Sequence, residues 1–418
     1  MIGPDAPARA ETLFDRLRAL SFDGTGITRA SFGAGESAAL DLIAAEARGL
    51  GFAATRDPAA NLAIDLPGAD PSLPVVACGS HLDSVPQGGN YDGGAGVVAG
   101  LLALEALRAL PRRRGLRLYA LRGEESAWFG RPYLGSSALF GALAPEDLAL
   151  RRAGGAETLA EAMGAVGADV TRIARGERLL DPATLAAWFE LHIEQGPVLV
   201  ARGLPVAVVT GLRGNLRHRQ VTCTGEAGHS GAVPRWLRHD AVFATAALIE
   251  RLDQQWQRLL AQGQDLVVTV GMLGTDPGEH ALSRIPGRVG FSFEARSESA
   301  GTLEAFYALM QAECDDIGAE RGVTFAFDRR LDTAPARMDP GLTAALAAAA
   351  AAEGLPAERM ASGAGHDAAV FANAGVPSAM IFVRNDHGSH NPREAMAMDD
   401  FLAGTRVLTR ALAAAVAA

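Results

Sequence analysis

The strongest constraint on the fold is a series of short apolar runs alternating with helical stretches. Residues 73–79 (LPVVACG) form one such run, bounded by Pro and Gly, as expected of a strand buried on both faces of a parallel sheet. Residues 36–50 before it have helical periodicity and stop at Gly51, and residues 94–110 after it read as a helix stopped at Pro111. Residues 116–121 and 188–192 supply two more strands, and this β–α–β alternation predicts an α/β fold with a parallel or mixed sheet covered by helices. From about Leu212 the pattern changes. A strand at 219–224 precedes a long helix at 240–260, strands at 265–272 and 289–295, a helix at 302–321 and a strand at 323–329. Two long helices over a four-stranded antiparallel sheet describe a separate α+β unit. After about Leu331 the chain returns to helix, an apolar strand at 378–383 and a final helix. The expected organisation is a discontinuous larger domain, 1–211 with 331–418, and an inserted domain, 212–330.

Composition narrows the partners. A formal charge of −10 argues against nucleic acid, which requires clustered Lys and Arg. No basic amphipathic stretch suggests a membrane surface, and the Ala-rich runs at 342–352 and 407–418 are too short to span one. Cys78, Cys223 and Cys314 form no CxxC pair, so neither a disulfide framework nor a thiolate zinc site is expected. The N-terminal residues lack a basic segment followed by an apolar one, so no secretory signal is expected, and a cytoplasmic, reducing setting follows.

Chemistry concentrates at the strand ends. Ser80-His81-Leu82-Asp83-Ser84 follows the 73–79 run, where open α/β sheets place their sites. His81 offers an imidazole nitrogen to a metal, and Asp83 can accept its other N–H; the same residues also suit a polar loop with a structural histidine. Asp92, in Gly88-Gly89-Asn90-Tyr91-Asp92-Gly93-Gly94, is either a carboxylate able to bridge two cations or the N-cap of the next helix. Glu124 and Glu125 are adjacent carboxylates, costly if both are buried as anions without a cation and unremarkable in a solvated loop. His192 ends the 188–192 strand, and His390 follows another. Taken one at a time, the bland reading competes for each residue. Taken together, five His, Asp and Glu candidates at strand ends and turns of one domain argue for a metal site of nitrogen and oxygen donors. That set suits zinc, with manganese, cobalt or nickel possible by the same chemistry.

These residues sit in motifs that resemble the dinuclear metallo-amidohydrolases, the family of N-carbamoyl-L-amino acid hydrolases, β-ureidopropionases and allantoate amidohydrolases, related to metal-dependent aminopeptidases and carboxypeptidases. The motifs are SHLDS (80–84), GGNYDGGAGV (88–97), GEES (123–126), LHIEQGP (191–197), AGHSGAVP (227–234), RIPGRVGFSFEAR (284–296), SGAGHDA (362–368) and GSHNPRE (388–394). The resemblance implies a mixed-sheet, metallopeptidase-like catalytic domain with an inserted lid and dimerisation domain that closes over the site, and a homodimer. It implies two divalent ions bridged by Asp92, one also held by His81 and His192, the other by Glu125 and His390. Glu124 would be general base and later proton donor. Gln195, His229 and Arg296, with the backbone of Gly363, Ala364 and Gly365 and with His366 nearby, would meet a small carboxylate-bearing substrate. His229 would steady the oxyanion.

Three departures from the family touch the substrate. Ser283 stands where the family usually has Asn, which removes an amide donor and shortens reach. Glu294-Ala295-Arg296 replaces the family's DxR, and Trp128 stands where many relatives carry a polar or basic residue. The expected activity is hydrolysis of a carbamoyl or amide C–N bond. Allantoate-type, N-acyl amino acid and dipeptide cleavage at the same site are the alternatives, with a non-catalytic small-molecule binder more remote.

Overall fold

The computed structural model describes residues 2–418, which form two compact units. The larger is built on a nine-stranded sheet. Its strands are β1 (Ala53–Arg56), β2 (Leu62–Leu66), β3 (Val75–His81), β4 (Leu116–Leu121), β5 (Leu185–Ile193), β6 (Val206–Leu212), β7 (Ala336–Arg337), β8 (Ala357–Ser362) and β9 (Ser378–Val383). They run in the order β1-β2-β4-β3-β5-β9-β6-β7, with β8 also paired to β6. Neighbours β4, β3, β5 and β9 are mutually parallel, whereas β1–β2, β2–β4 and β9–β6 are antiparallel. The sheet is therefore mixed, with a parallel centre. The carboxyl ends of its four central strands, at His81, Leu121, Ile193 and Val383, share one edge.

Every β9 residue is buried, as a centre covered on both faces requires. The helix Gly94–Leu107 is apolar nearly all round and packs among β3, β4, β5 and the C-terminal helix Met398–Ala417. Here the structure shortens an expectation. The helix read as 94–110 ends at Leu107, because Pro111 disfavours helical geometry at the residue before it and offers no N–H. Likewise β3 runs on to His81, so this histidine is the last residue of the strand rather than the start of the loop beyond it.

The second unit, Gly211–Ala336, is built on a six-stranded sheet instead of a four-stranded one, with a separate short pair, Gly228–His229 and Arg284–Ile285. Two long strands, Gly214–Thr224 and Arg288–Ser297, form its antiparallel centre. Val267–Thr269 and Leu273–Gly274 flank one side; Thr324–Phe327 and Leu331–Thr333 flank the other. Four columns are present, and each outer column is broken in two. The cause is a bulge in the central pair, where Phe291 faces Val221 but Phe293 faces His218. A bulge bends and over-twists its strand, so neither outer column keeps continuous pairing past it. The unit extends beyond residue 330 because Leu331–Thr333 still pairs with the first central strand.

Two helices cover this sheet. Ala241–Ala261 starts at an Asp240 cap that accepts the Val242 and Phe243 N–H groups at 3.1 and 3.2 Å. Ala300–Arg321 starts at Ser299 and ends at Gly322 in the left-handed region. Along Arg288–Ser297 the side chains alternate strictly. Val289, Phe291, Phe293 and Ala295 enter the core with Leu248, Leu252, Phe306 and Met310, while Glu294 and Arg296 occupy the opposite face.

Candidate metal centre

The carboxyl edge of the parallel strands carries the site. His81 ends β3, His192 is the penultimate residue of β5, Glu124 and Glu125 follow β4, and His390 sits in the loop after β9. Asp92 arrives from the glycine-rich turn before the helix Gly94–Leu107. It is not that helix's cap: Gly93 is, with φ of 66°. A Cβ on Gly93 would lie 2.6 Å from three atoms of the His81 ring, so only glycine lets this turn pass so close to the imidazole.

Asp92 is the hub. Its Oδ1 lies 3.4 Å from His81 Nε2 and 3.3 Å from His192 Nε2, and those two nitrogens are 3.5 Å apart. Its Oδ2 lies 3.5 Å from His390 Nε2, which is 3.4 Å from Glu125 Oε1. Among the described residues, two groups of possible metal ligands therefore emerge, His81–Asp92–His192 and Asp92–Glu125–His390, sharing one carboxylate. The spacing tests whether an ion fits. Two donors, each about 2.1 Å from a tetrahedral zinc, stand about 3.4 Å apart. Each separation given above is within a tenth of an ångström of that value. The residues fit.

Burial weighs against the bland alternatives for Asp92, Glu124, Glu125 and His192, while His390 is half-exposed. Glu124 and Glu125 are 8% and 5% exposed, so they are no solvated surface pair. His192 is fully enclosed and Asp92 is 3% exposed. Carboxylates held in such surroundings cost on the order of several kcal/mol each unless a cation compensates. Burial pushes the Glu124 carboxyl well above the usual carboxylate range, with His81 pulling the other way and the Glu125 charge adding to the rise. For Asp92 burial also acts upward, yet hydrogen bonds from His192 and His81 outweigh it and hold the group well below its ordinary value. The hydrogen bond to Glu125 raises His390 to about 9.

Supporting contacts orient the donors. His192 Nδ1 lies 2.9 Å from the Ile193 carbonyl, which leaves Nε2 facing the cluster. His81 Nδ1 is 3.3 Å from Asp83 Oδ1 and 3.2 Å from the Asp83 carbonyl. Asp83 does more than accept this N–H. Its carboxylate also takes the backbone N–H of Glu124 at 3.0 Å, that of Glu125 at 3.1 Å, and the Ser31 hydroxyl at 2.6 Å. One buried acid thus ties the end of β3 to the end of β4. Gln195, with φ of 62°, donates Nε2 to Asp92 Oδ2 at 2.8 Å, while its buried Oε1 has no protein partner among the described residues.

The chain belongs to the peptidase family M20/M25/M40, whose model matches residues 77–414. This M20 chain is 36% identical to an N-carbamoyl-L-amino acid amidohydrolase of Geobacillus stearothermophilus over 407 residues, 96% of this chain and 97% of the relative. It is 32% identical to an allantoate amidohydrolase of Escherichia coli over 84% of each chain. A hydantoinase/carbamoylase family amidase from Burkholderia ambifaria superposes with a TM-score of 0.84 at 32% identity, covering 97% of this chain and 96% of that one. The M20 chain is accordingly a hydrolase.

The larger unit of this M20 hydrolase assembles the metal-ligand candidates, Glu124, Asp83 and Gln195. Gly363, Ala364 and Gly365 lie between β8 and the helix Asp367–Asn373, where the Ser362 hydroxyl donates to the Ala364 carbonyl at 2.7 Å. His366 is buried, with its ring centroid 4.3 Å from that of His192; burial first, and the His192 charge second, keep it well below the ordinary histidine range. Trp128 donates its indole N–H to the Ser84 carbonyl at 2.7 Å, so it braces the loop after His81.

His229, Ser283 and Arg296 belong to the second unit. His229 Nδ1 accepts the N–H groups of Gly231 and Ala232, both at 3.2 Å, which puts the proton of a neutral ring on Nε2 as a donor. The Ser283 carbonyl accepts the Ser230 N–H at 2.8 Å. Arg296 pairs with Glu294 at 3.1 Å.

Sequence reasoning missed three groups. Arg29 is wholly buried, donates Nε to the Leu82 carbonyl at 2.7 Å and exchanges backbone and side-chain bonds with Ser84, yet a lone arginine far from any motif gives no signal. Ser389 and Glu394 flank His390 inside GSHNPRE, so they were in view but unassigned.

Proposed function

We propose that the chain hydrolyses a carbamoyl or amide C–N bond of a small carboxylate-bearing molecule, such as an N-carbamoyl-L-amino acid, with two divalent ions. The observation that carries this reading is the single Asp92 carboxylate shared by two groups of possible ligands whose atoms lie within 4.8 Å of one another. In it, Asp92 would serve both ions, with His81 and His192 holding one and Glu125 and His390 holding the other. The thiolate-free donor set favours zinc, with manganese, cobalt or nickel able to substitute. Bound there, the ions would polarise the scissile carbonyl and lower the pKa of the attacking water.

The protein groups do the rest. Glu124 takes the water's proton as its oxygen joins the carbonyl carbon, then delivers that proton to the nitrogen as the C–N bond breaks. A carboxyl whose pKa burial has raised is suited to holding a proton between the two steps. His229 donates its Nε2–H to the oxyanion. Arg296 clamps the substrate carboxylate, and Gln195 with the 363–365 backbone meets the remainder. A carbamoyl substrate yields ammonia, carbon dioxide and an amino acid. In the same reading the second unit serves as lid and homodimer contact. The three buried, unpaired cysteines support a reducing, cytoplasmic setting.

A substrate panel tests the reaction. Chelator-sensitive ammonia release from N-carbamoyl-L-amino acids is expected to exceed turnover of allantoate, N-acyl amino acids and dipeptides. Amine release from dipeptides alone would place the chain with the peptidases of its family. Arg296→Lys is expected to raise KM for the carboxylate substrate about 10- to 100-fold, since charge-assisted hydrogen bonds contribute about 1.5–3 kcal/mol and lysine cannot present a planar pair of donors. An unchanged KM removes the clamp.

A further inference from the structure

We infer that Glu394, acting through Ser389, is a positioning residue that sets the orientation of the Asp92 carboxylate and selectively secures the ion on the His390 side. The inference rests on the two-ion reading above. Glu394 is 8% exposed. Its Oε1 accepts the backbone N–H of Tyr91 at 2.8 Å and that of Asp92 itself at 3.2 Å. Its Oε2 is 2.7 Å from the Ser389 hydroxyl, which also hydrogen-bonds Asp92 Oδ2. Glu394 thus reaches the same aspartate twice, once through the main chain and once through a hydroxyl beside His390.

The surroundings are shaped around this strut. A Cβ on Gly89 would fall 2.0 Å from Glu394 Cδ and Oε1, so the first half of the glycine-rich turn is cut away to admit the carboxylate. Asp386 and Ala395 exchange backbone hydrogen bonds of 2.7 and 3.2 Å, closing the loop that carries Ser389, His390 and Glu394. One side chain therefore joins the His390 loop to a turn 302 residues away in sequence.

Its effect falls unequally on the two ligand groups. His81 and His192 end strands of the sheet, and their Nδ1 atoms lie against backbone carbonyls, so that half is braced without Glu394. His390 is half-exposed, has φ of 60° and belongs to a loop. Asp92 Oδ2, the oxygen facing His390, is also the one that Ser389 holds. Loss of the strut leaves Gln195 Nε2, at 2.8 Å, as the remaining side-chain hydrogen bond on that oxygen and loosens its hold toward the His390 side, while Oδ1 keeps its two imidazoles.

The test is zinc titration of chelator-stripped, full-length protein. Wild type, Glu394→Ala, Glu394→Gln and Ser389→Ala are compared by stoichiometry and affinity, with circular dichroism as a check on folding. Wild type should take two zinc ions. Glu394→Ala should keep one at wild-type affinity and bind the second about 10- to 100-fold more weakly, the usual cost of removing a group that orients a ligand. Glu394→Gln retains an oxygen for the Tyr91 and Asp92 N–H groups and should recover much of that loss. If Glu394→Ala fails to fold, Ser389→Ala, which deletes one hydroxyl, should still show the selective weakening. Two sites of wild-type affinity in the folded variants, or equal weakening of both, would overturn the inference. Wild type binding fewer than two ions would instead overturn the two-ion reading itself.

Discussion

On the proposed reading, Glu124→Gln is expected to leave both ions bound and to lower turnover about 10²- to 10⁴-fold, the range that general acid–base groups contribute. The substitution keeps the shape of a buried side chain and the backbone N–H that Asp83 accepts at 3.0 Å, so the β3–β4 brace survives. It also leaves both ligand groups untouched, since neither contains Glu124. What it removes is the only oxygen in the proposal that can accept a proton from water and return it to the leaving nitrogen. Metal analysis beside steady-state kinetics checks both halves. Near-wild-type turnover with ions in place would show that some other group is the base.

Asp92→Ala has the broader effect, because this carboxylate belongs to both ligand groups. Removing it leaves His81 and His192 facing each other and His390 with Glu125 alone, two donors on each side where an ion needs at least three protein ligands. Turnover should fall to background and the protein should retain no tightly held zinc. Stability gives an independent readout. An ion that binds only the folded chain stabilises it by about 4.1 kcal/mol at a thousand times its Kd. Zinc should therefore raise the melting temperature of stripped wild type and leave that of Asp92→Ala unchanged. An equal zinc-dependent rise in the variant would move the ions away from Asp92.

The sequence made the parallel centre of the sheet legible because its strands are short apolar runs, the first of them bounded by Pro and Gly. Residues 116–121 and 378–383 coincide with β4 and β9 residue for residue. In the second unit the outer strand read as 323–329 contains Thr324–Phe327, whereas 265–272 shortens to Val267–Thr269 and the short strands Leu273–Gly274 and Leu331–Thr333 were not legible, since they pair beyond a bulge in a neighbouring strand. At the candidate site, His81, Glu125 and His192 could be read because strand ends are visible in apolar periodicity, and Asp92 and His390 because of the turn and loop motifs that carry them. Choosing between cap and cluster for Asp92 needed the Gly93 geometry. Arg29 and Glu394 could not be read in the same way. Their burial is set by which distant loops pack over them, and one-dimensional periodicity carries no record of that.

The most direct test of the central claim is metal-dependent activity measured together with metal content. Protein stripped by chelator, then given increments of zinc, should be inactive at first and regain ammonia release from an N-carbamoyl amino acid, levelling off at two ions per chain. Full activity in protein containing no transition metal would contradict the account.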